Sequence, residues 1–245
     1  MLRAIAKKAV RKMLGLFGVY ISRTERPGRS TSMESAFRMI QKRGHVIQTV
    51  VDVGASDGRW TRSFQKYYPR SNYLLIEAQA VHKASLENFC RENNSVQFVL
   101  AAAGEKKGVL YFDASDPFSG QASYTPYTAN NIEVPVVAIQ DEVHARGLRG
   151  PYLLKLDTHG FEVPIVKGAL RILPETEVIV MECYNFKISP ESLIFDEMCG
   201  YLRGLGFRCI HLVDPGFRPF DGSLWQMDLV FVKDNRPEFQ HLAYL

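Results

Sequence analysis

From Val46 onward, short apolar runs alternate with stretches in which apolar positions recur every three or four residues. The runs predict strands over Ile47–Val53, Tyr73–Glu77, Val96–Leu100, Tyr152–Asp157 and Glu177–Cys183. The periodic stretches predict helices over Arg59–Tyr67, Val81–Arg91, Phe161–Leu170 and Leu193–Leu205. An earlier helix over Met33–Lys42 has Ser32 as its N-cap and Gly44 at its close. Repeated strand–helix units imply an α/β fold, a mostly parallel sheet with helices on both faces. Two further runs, Phe207–Leu212 and Met227–Lys233, have no helix between them and predict an antiparallel hairpin at one edge, which makes seven strands. The alternation breaks between Leu100 and Tyr152. There Gly108–Phe112 and Glu133–Ile139 read as extra strands around a polar loop, Asp113–Glu133.

Residues 2–20 have a different pattern. At about 100° per residue, Leu2, Ile5, Ala9, Met13, Leu16 and Tyr20 share one face, opposite Arg3, Lys7, Lys8, Arg11 and Lys12. The expected division is a basic amphipathic helix and linker over residues 1–31, then one domain over 32–245. Charge follows that division. Of 30 Lys and Arg and 26 Asp and Glu, residues 1–30 hold eight and one, which leaves 22 and 25 for the rest. The main body therefore lacks the basic stripe that nucleic-acid binding requires. For residues 2–20 three readings stay open: peripheral contact with an anionic membrane surface, packing against protein, or, because the segment lacks acids, an organellar targeting peptide. No apolar run approaches the length of about 20 residues that a membrane span needs. Cys90, Cys183, Cys199 and Cys209 show no metal or redox spacing, which suits free thiols in a cytoplasmic protein.

The candidate chemistry starts at Val51-Asp52-Val53-Gly54-Ala55-Ser56-Asp57-Gly58, a buried strand that opens into a glycine turn. A dinucleotide fingerprint would read G-x-G-x-x-G and face a pyrophosphate. Here Asp52 precedes the first glycine, where a carboxylate would repel phosphate and attract a cation such as the amino group of S-adenosylmethionine (SAM). The expected cofactor set is Asp52, Gly54, Ala55, Ser56, Asp57 and Gly58, with Glu77 for ribose hydroxyls. Gly54 and Gly58 are expected to let the ligand approach the main chain. Asp52, Glu77, Asp157 and Glu182 all fall near the carboxyl ends of strands, where such sheets bind ligands.

Three segments in order resemble the FkbM family of SAM-dependent methyltransferases: Val51–Gly58, Ile76-Glu77-Ala78, and Leu154-Lys155-Leu156-Asp157-Thr158-His159-Gly160-Phe161-Glu162 with Lys167-Gly168-Ala169. The resemblance covers roughly Val50 to Cys183. It implies a class I SAM methyltransferase fold, Rossmann-like and doubly wound, and methylation of a hydroxyl on a sugar, glycan or secondary-metabolite acceptor. His159 departs from the family's usual K-I-D-x-E-G-x-E, as does Ala78-Gln79 from its usual proline-containing turn.

An alcohol acceptor must lose a proton, so a positioned base helps. Asp157 is the first candidate and His159 the second, because imidazole titrates near neutrality. Glu162 is either a further acid of the site or a structural acid at a helix start. Asp157, His159 and Glu182 are too generic a set to predict a metal, and none is expected. Aromatic residues of two loops, Phe118, Tyr124 and Tyr127 in one and Phe217, Phe220 and Trp225 in Val213–Gln226, are candidates for the acceptor side. The competing reading is a SAM-binding or scaffold module of the same fold without catalysis, which His159 keeps open.

Overall fold

The computed structural model describes residues 31–127 and 131–243, so the helix expected over 2–20 lies outside the described residues. Helix α1 (Met33–Lys42) begins at Ser32, whose hydroxyl accepts the Ser35 N–H. It ends at Gly44, at φ +71°. The chain then runs β1 (Thr49–Val53), α2 (Arg59–Gln65), β2 (Asn72–Glu77), a 3₁₀ turn (Ala80–His82), α3 (Lys83–Glu92) and β3 (Val96–Leu100). An insertion follows: β4 (Ala102–Ala103), β5 (Gly108–Asp113), β6 (Gln121–Ser123), β7 (Asn131–Val137) and α4 (Ile139–Ala145). The alternation resumes with β8 (Tyr152–Leu156), α5 (Glu162–Lys167), β9 (Thr176–Tyr184) and α6 (Phe195–Gly204), then closes with β10 (Phe207–Phe217) and β11 (Leu224–Lys233).

The main sheet has the order β10-β11-β9-β8-β1-β2-β3, and β11 alone runs against the rest. From β1 the chain winds first toward β3 and later toward β9. The boundary between β1 and β8 is therefore the switch point, where a crevice opens at the strands' carboxyl ends. Every residue of β1 and β8 is buried, as expected of strands covered on both faces. One face packs Val50, Tyr73, Leu75 and Val180 against Phe37, Phe64 and Phe89 of the first three helices. The other packs Val51, Leu74, Leu154 and Ile179 against α4, α5, α6 and the second sheet, β4-β7-β5-β6.

Three expectations are corrected. The strand expected to run to Ile139 stops at Val137, and α4 begins at Ile139, because Ile139 and Val143 bury one face of a helical turn. The loop Asp113–Glu133 contains β6 and forms a sheet with its neighbours. Much of the expected loop Val213–Gln226 is strand, leaving only a short turn between Phe217 and Leu224. Asp214-Pro215-Gly216 reads as a break in sequence, and here it is a bulge, with a register shift between Val213 and Gly216.

Candidate active site

The carboxyl ends of β1, β2 and β8 border a cavity of about 620 Å³, lined by Gly54, Ala55, Ser56, Glu77 and Asp157 among others. A second cleft of about 440 Å³ is lined by Gln121, Glu182, Tyr184, Ile188, Trp225 and Gln226. Phe118, Asp157 and His159 belong to the walls of both.

The turn after β1 fixes Glu77. Ser56, at φ +52°, points its N–H at Glu77 Oε2 (2.7 Å), and the Gln79 N–H donates to Oε1 (2.7 Å). Both oxygens are thus oriented by main chain, and each keeps acceptor capacity. Gly54, Ala55 and Ser56 lie on the cavity wall.

Asp52 does not lie there. Its fully buried side chain accepts from Thr61 Oγ1 at 2.7 Å and lies 3.1 Å from Lys155 Nζ. The contact expected between Asp52 and a ligand's ammonium is therefore not available, since β1 continues through Val53 and turns the Asp52 side chain toward the helix-covered face. Asp57 and Gly58 also lie outside the cavity wall. Asp57 accepts from Arg59 N (3.1 Å), Nε (2.9 Å) and Nη2 (2.7 Å) at the start of α2. Protein packing requires both glycines, and Gly54 also stands on the cavity wall. A Cβ on Gly54, at φ +71°, would collide with the Asp157 carbonyl, and one on Gly58, at φ +83°, would lie 2.9 Å from the Phe89 ring.

Lys155 joins the acids. Its buried Nζ lies 3.1 Å from Asp52 Oδ1, 3.3 Å from Asp157 Oδ2 and 2.9 Å from the Gly54 carbonyl. Burial alone would lower its pKa; Asp157 and Asp52 outweigh that and raise it, so the ammonium is retained. Burial likewise pushes Asp157 upward, but Lys155 and then His159 prevail and hold its carboxyl below the ordinary range.

His159, at φ +52°, has Nδ1 2.7 Å from Tyr184 Oη and 3.0 Å from Glu182 Oε2, with Nε2 3.3 Å from the Phe118 carbonyl. Burial opposes its charge, yet Glu182, followed by Asp157, raises its pKa to about 9. At neutral pH it is an imidazolium, which donates protons rather than accepting them. This setting does not favour the neutral imidazole that a base at His159 would need, whereas Asp157 is held as a carboxylate. Glu182 also receives Tyr184 Oη–H (2.6 Å) and Gln226 Nε2–H (2.8 Å). Glu162 takes the structural alternative. It is buried and accepts from Thr158 Oγ1 and the Gly160 N–H, each at 3.0 Å, which fixes the turn that carries His159. Ligand-type atoms of Asp157, His159 and Glu182 lie within 4.8 Å of one another, and in this arrangement His159 supplies the positive charge among them.

Residues 52–209 match the family model described as the methyltransferase FkbM domain. The chain belongs to the FkbM methyltransferase family. Its fold is that of a class I methyltransferase, a mostly parallel seven-stranded sheet with an antiparallel edge. Solved structures with similarity include a methyltransferase FkbM from Methylobacillus flagellatus, at 17% identity over 74% of this chain and 43% of that chain, TM-score 0.48. The chain thus spans less than half of that protein's length. Aeropyrum pernix fibrillarin with natively bound SAM is 14% identical over 92% of this chain and 74% of its own, TM-score 0.45. Burkholderia thailandensis 1,6-didemethyltoxoflavin-N1-methyltransferase, bound to its namesake compound and S-adenosylhomocysteine, is 16% identical over 82% and 81%, TM-score 0.44. No curated protein matches the sequence.

In this FkbM-family methyltransferase the aromatic candidates divide. Phe118 and Trp225 reach the cavity walls, whereas Tyr124 packs on Phe161 (ring centroids 5.2 Å apart) and Tyr127 Oη donates to the Ala122 carbonyl at 3.2 Å. Phe217 and Phe220 are exposed beyond the cleft. Sequence reasoning gave no role to Lys155, Tyr184 or Gln226. Lys155 had a usable signal, because a lysine within a fully buried apolar run must be paired. Sequence reasoning gave no role to α1 either, yet Met33 and Phe37 line the larger cavity.

Proposed function

We propose that this FkbM-family methyltransferase takes its methyl group from SAM and transfers it to a hydroxyl oxygen of a neutral, ring-bearing acceptor, a sugar, glycan or secondary metabolite. The observation that carries this reading is the meeting of two cavities at Asp157, one suited to a nucleoside and one open to a second substrate. The larger cavity has the volume of a cofactor site. Glu77 presents an oriented carboxylate for a ribose diol, while Ile76, Ala102 and Ile165 offer apolar walls for a base. Bound there, SAM supplies an electrophilic methyl on a sulfonium.

The chain's own residues supply the rest. Asp157 orients the acceptor hydroxyl and receives its proton. As a carboxylate with a lowered pKa it is a modest base, so alignment is expected to contribute more than proton abstraction. Asp52 balances Lys155, leaving Asp157 and Glu182 opposed by His159, a net negative wall that disfavours phosphate or carboxylate acceptors. Trp225 and Phe118 offer ring faces, and Gln121 and Gln226 offer amides for hydroxyls. Asp157's place on both walls supports turnover over a module that only retains SAM. The basic, apolar-faced segment 2–20 supports a further element of the reading, peripheral contact with an anionic membrane from the cytoplasmic side.

Calorimetry with S-adenosylhomocysteine tests the donor. Wild type should bind, and Glu77→Ala should weaken binding at least about tenfold through loss of a charge-assisted pair of hydrogen bonds. No binding by wild type would remove the donor assignment. Transfer of label from methyl-labelled SAM to neutral glycans or metabolites, but not to anionic ones, is the result expected for the acceptor.

A further inference from the structure

The link between β5 and β6, residues 114–120, borders the larger cavity with Pro117, Phe118 and Gly120 and the cleft with Phe118 and Ser119, and it is tied down from two sides. On the side of the larger cavity, Gln79 Nε2 donates to the Asp116 and Pro117 carbonyls at 3.0 Å each. His82 Nε2 lies 2.7 Å from the Pro117 carbonyl, and the Arg59 guanidinium sits 4.9 Å from the Phe118 ring centre. On the cleft side the contact comes from His159 Nε2, 3.3 Å from the Phe118 carbonyl. Gly120 ends the link, where a Cβ would collide with the Phe112 ring.

The protons on His159 follow from its partners. Tyr184 Oη–H is directed to Glu182 Oε2, so toward Nδ1 the phenol oxygen and Glu182 Oε2 both present lone pairs. Nε2 faces a carbonyl, which only accepts. Both ring nitrogens must therefore bear hydrogen, and a neutral imidazole would leave one contact as lone pair against lone pair.

We propose that His159, protonated on both ring nitrogens, is the clasp that closes the 114–120 link over the larger cavity and so sets the window between that cavity and the cleft. Naming the occupant as donor rests on the function proposed above; the clasp itself does not. His159 is a positioning residue, acting through the Phe118 main chain. The charged and titratable groups that face it are Glu182 and Tyr184 from β9, Asp157 after β8, and Asp116 from the link itself.

Hydrogen exchange on the full chain without ligand tests the clasp, read on peptides covering residues 113–121. His159→Glu carries at most one proton where the imidazolium carries two, and when ionised it faces two carboxylates, so exchange there should rise about tenfold or more, while β1 and β8 stay protected. His159→Gln, with one donor group, should give a smaller rise. S-adenosylhomocysteine dissociation should quicken in the same order. In wild type alone it should also quicken as pH passes about 9, when the imidazolium loses its proton. Unchanged exchange in both variants would overturn the clasp. Should His159→Glu lose protection in β1 and β8, His159→Gln decides: a rise upholds the clasp and no change removes it. If wild type fails to bind S-adenosylhomocysteine, the donor assignment falls and the exchange result still decides the clasp.

Discussion

Asp228 is a carboxylate whose ionisation costs the fold. It stands opposite Glu182 in the β9–β11 register. Burial, then Asp157 and Glu182, raise its pKa from 3.8 to about 7, with Lys155 opposing and Asp214 adding to the rise. The unfolded chain binds the proton less tightly than the folded one, so stability falls as pH climbs from about 4 toward about 7 and stays reduced above that. Asp228→Asn removes the penalty. It should stabilise the protein by roughly 2 kcal/mol at pH 8 and change little near pH 4, in urea denaturation at the two pH values. Equal effects at both would show that Asp228 ionises normally. The rim acids show what was legible at this scale. Glu77, Asp157 and Glu182 stand on the cavity walls, as their places at strand ends implied. Asp52 turns inward because its partner Lys155 lies opposite it on β8, and pairing register between distant strands is not written in local pattern.

At the scale of elements, the insertion between β3 and β8 is seated by one close approach. Gly168 follows α5, and a Cβ there would collide with the carbonyl oxygen of Gly104, just after β4. The neighbouring main chain is already committed, with the Gln140 N–H on the Gly168 carbonyl and the Gly104 N–H on that of Val137. Gly168→Ala must therefore push the second sheet away from α5. It should cost about 2–3 kcal/mol in chemical denaturation, well beyond the gain alanine normally brings near a helix end. A neutral result would mean the second sheet is not held there. The hydrophobic pattern revealed the strand–helix alternation because buried strands and amphipathic helices have different periods. It did not reveal α4, whose buried Ile139 and Val143 follow directly on the buried Val134 and Val136 of β7. It also shortened β10 and β11, since Pro215-Gly216 looks the same in sequence whether it ends a strand or bulges it.

Across the whole molecule, residues Thr31–Leu245 make one compact unit, and every residue named on the two cavity walls falls within it. Among the described residues no helix is long and apolar enough to cross a membrane. The cavity walls and the positive charge excess thus belong to different stretches of chain, since residues 1–30 hold eight basic side chains and one acid. A protein beginning at Thr31 should then keep its melting temperature and its affinity for S-adenosylhomocysteine. The full chain should float with vesicles rich in anionic lipid at low salt and progressively less as salt rises, because each basic residue near such a surface contributes about 1 kcal/mol, screened beyond a Debye length. The shortened protein should stay with the soluble fraction. Flotation of both forms to the same extent would move the membrane contact away from residues 2–20 and onto the exposed Phe217 and Phe220 of the β10–β11 hairpin. Flotation of neither would leave the N-terminal segment to pack against protein.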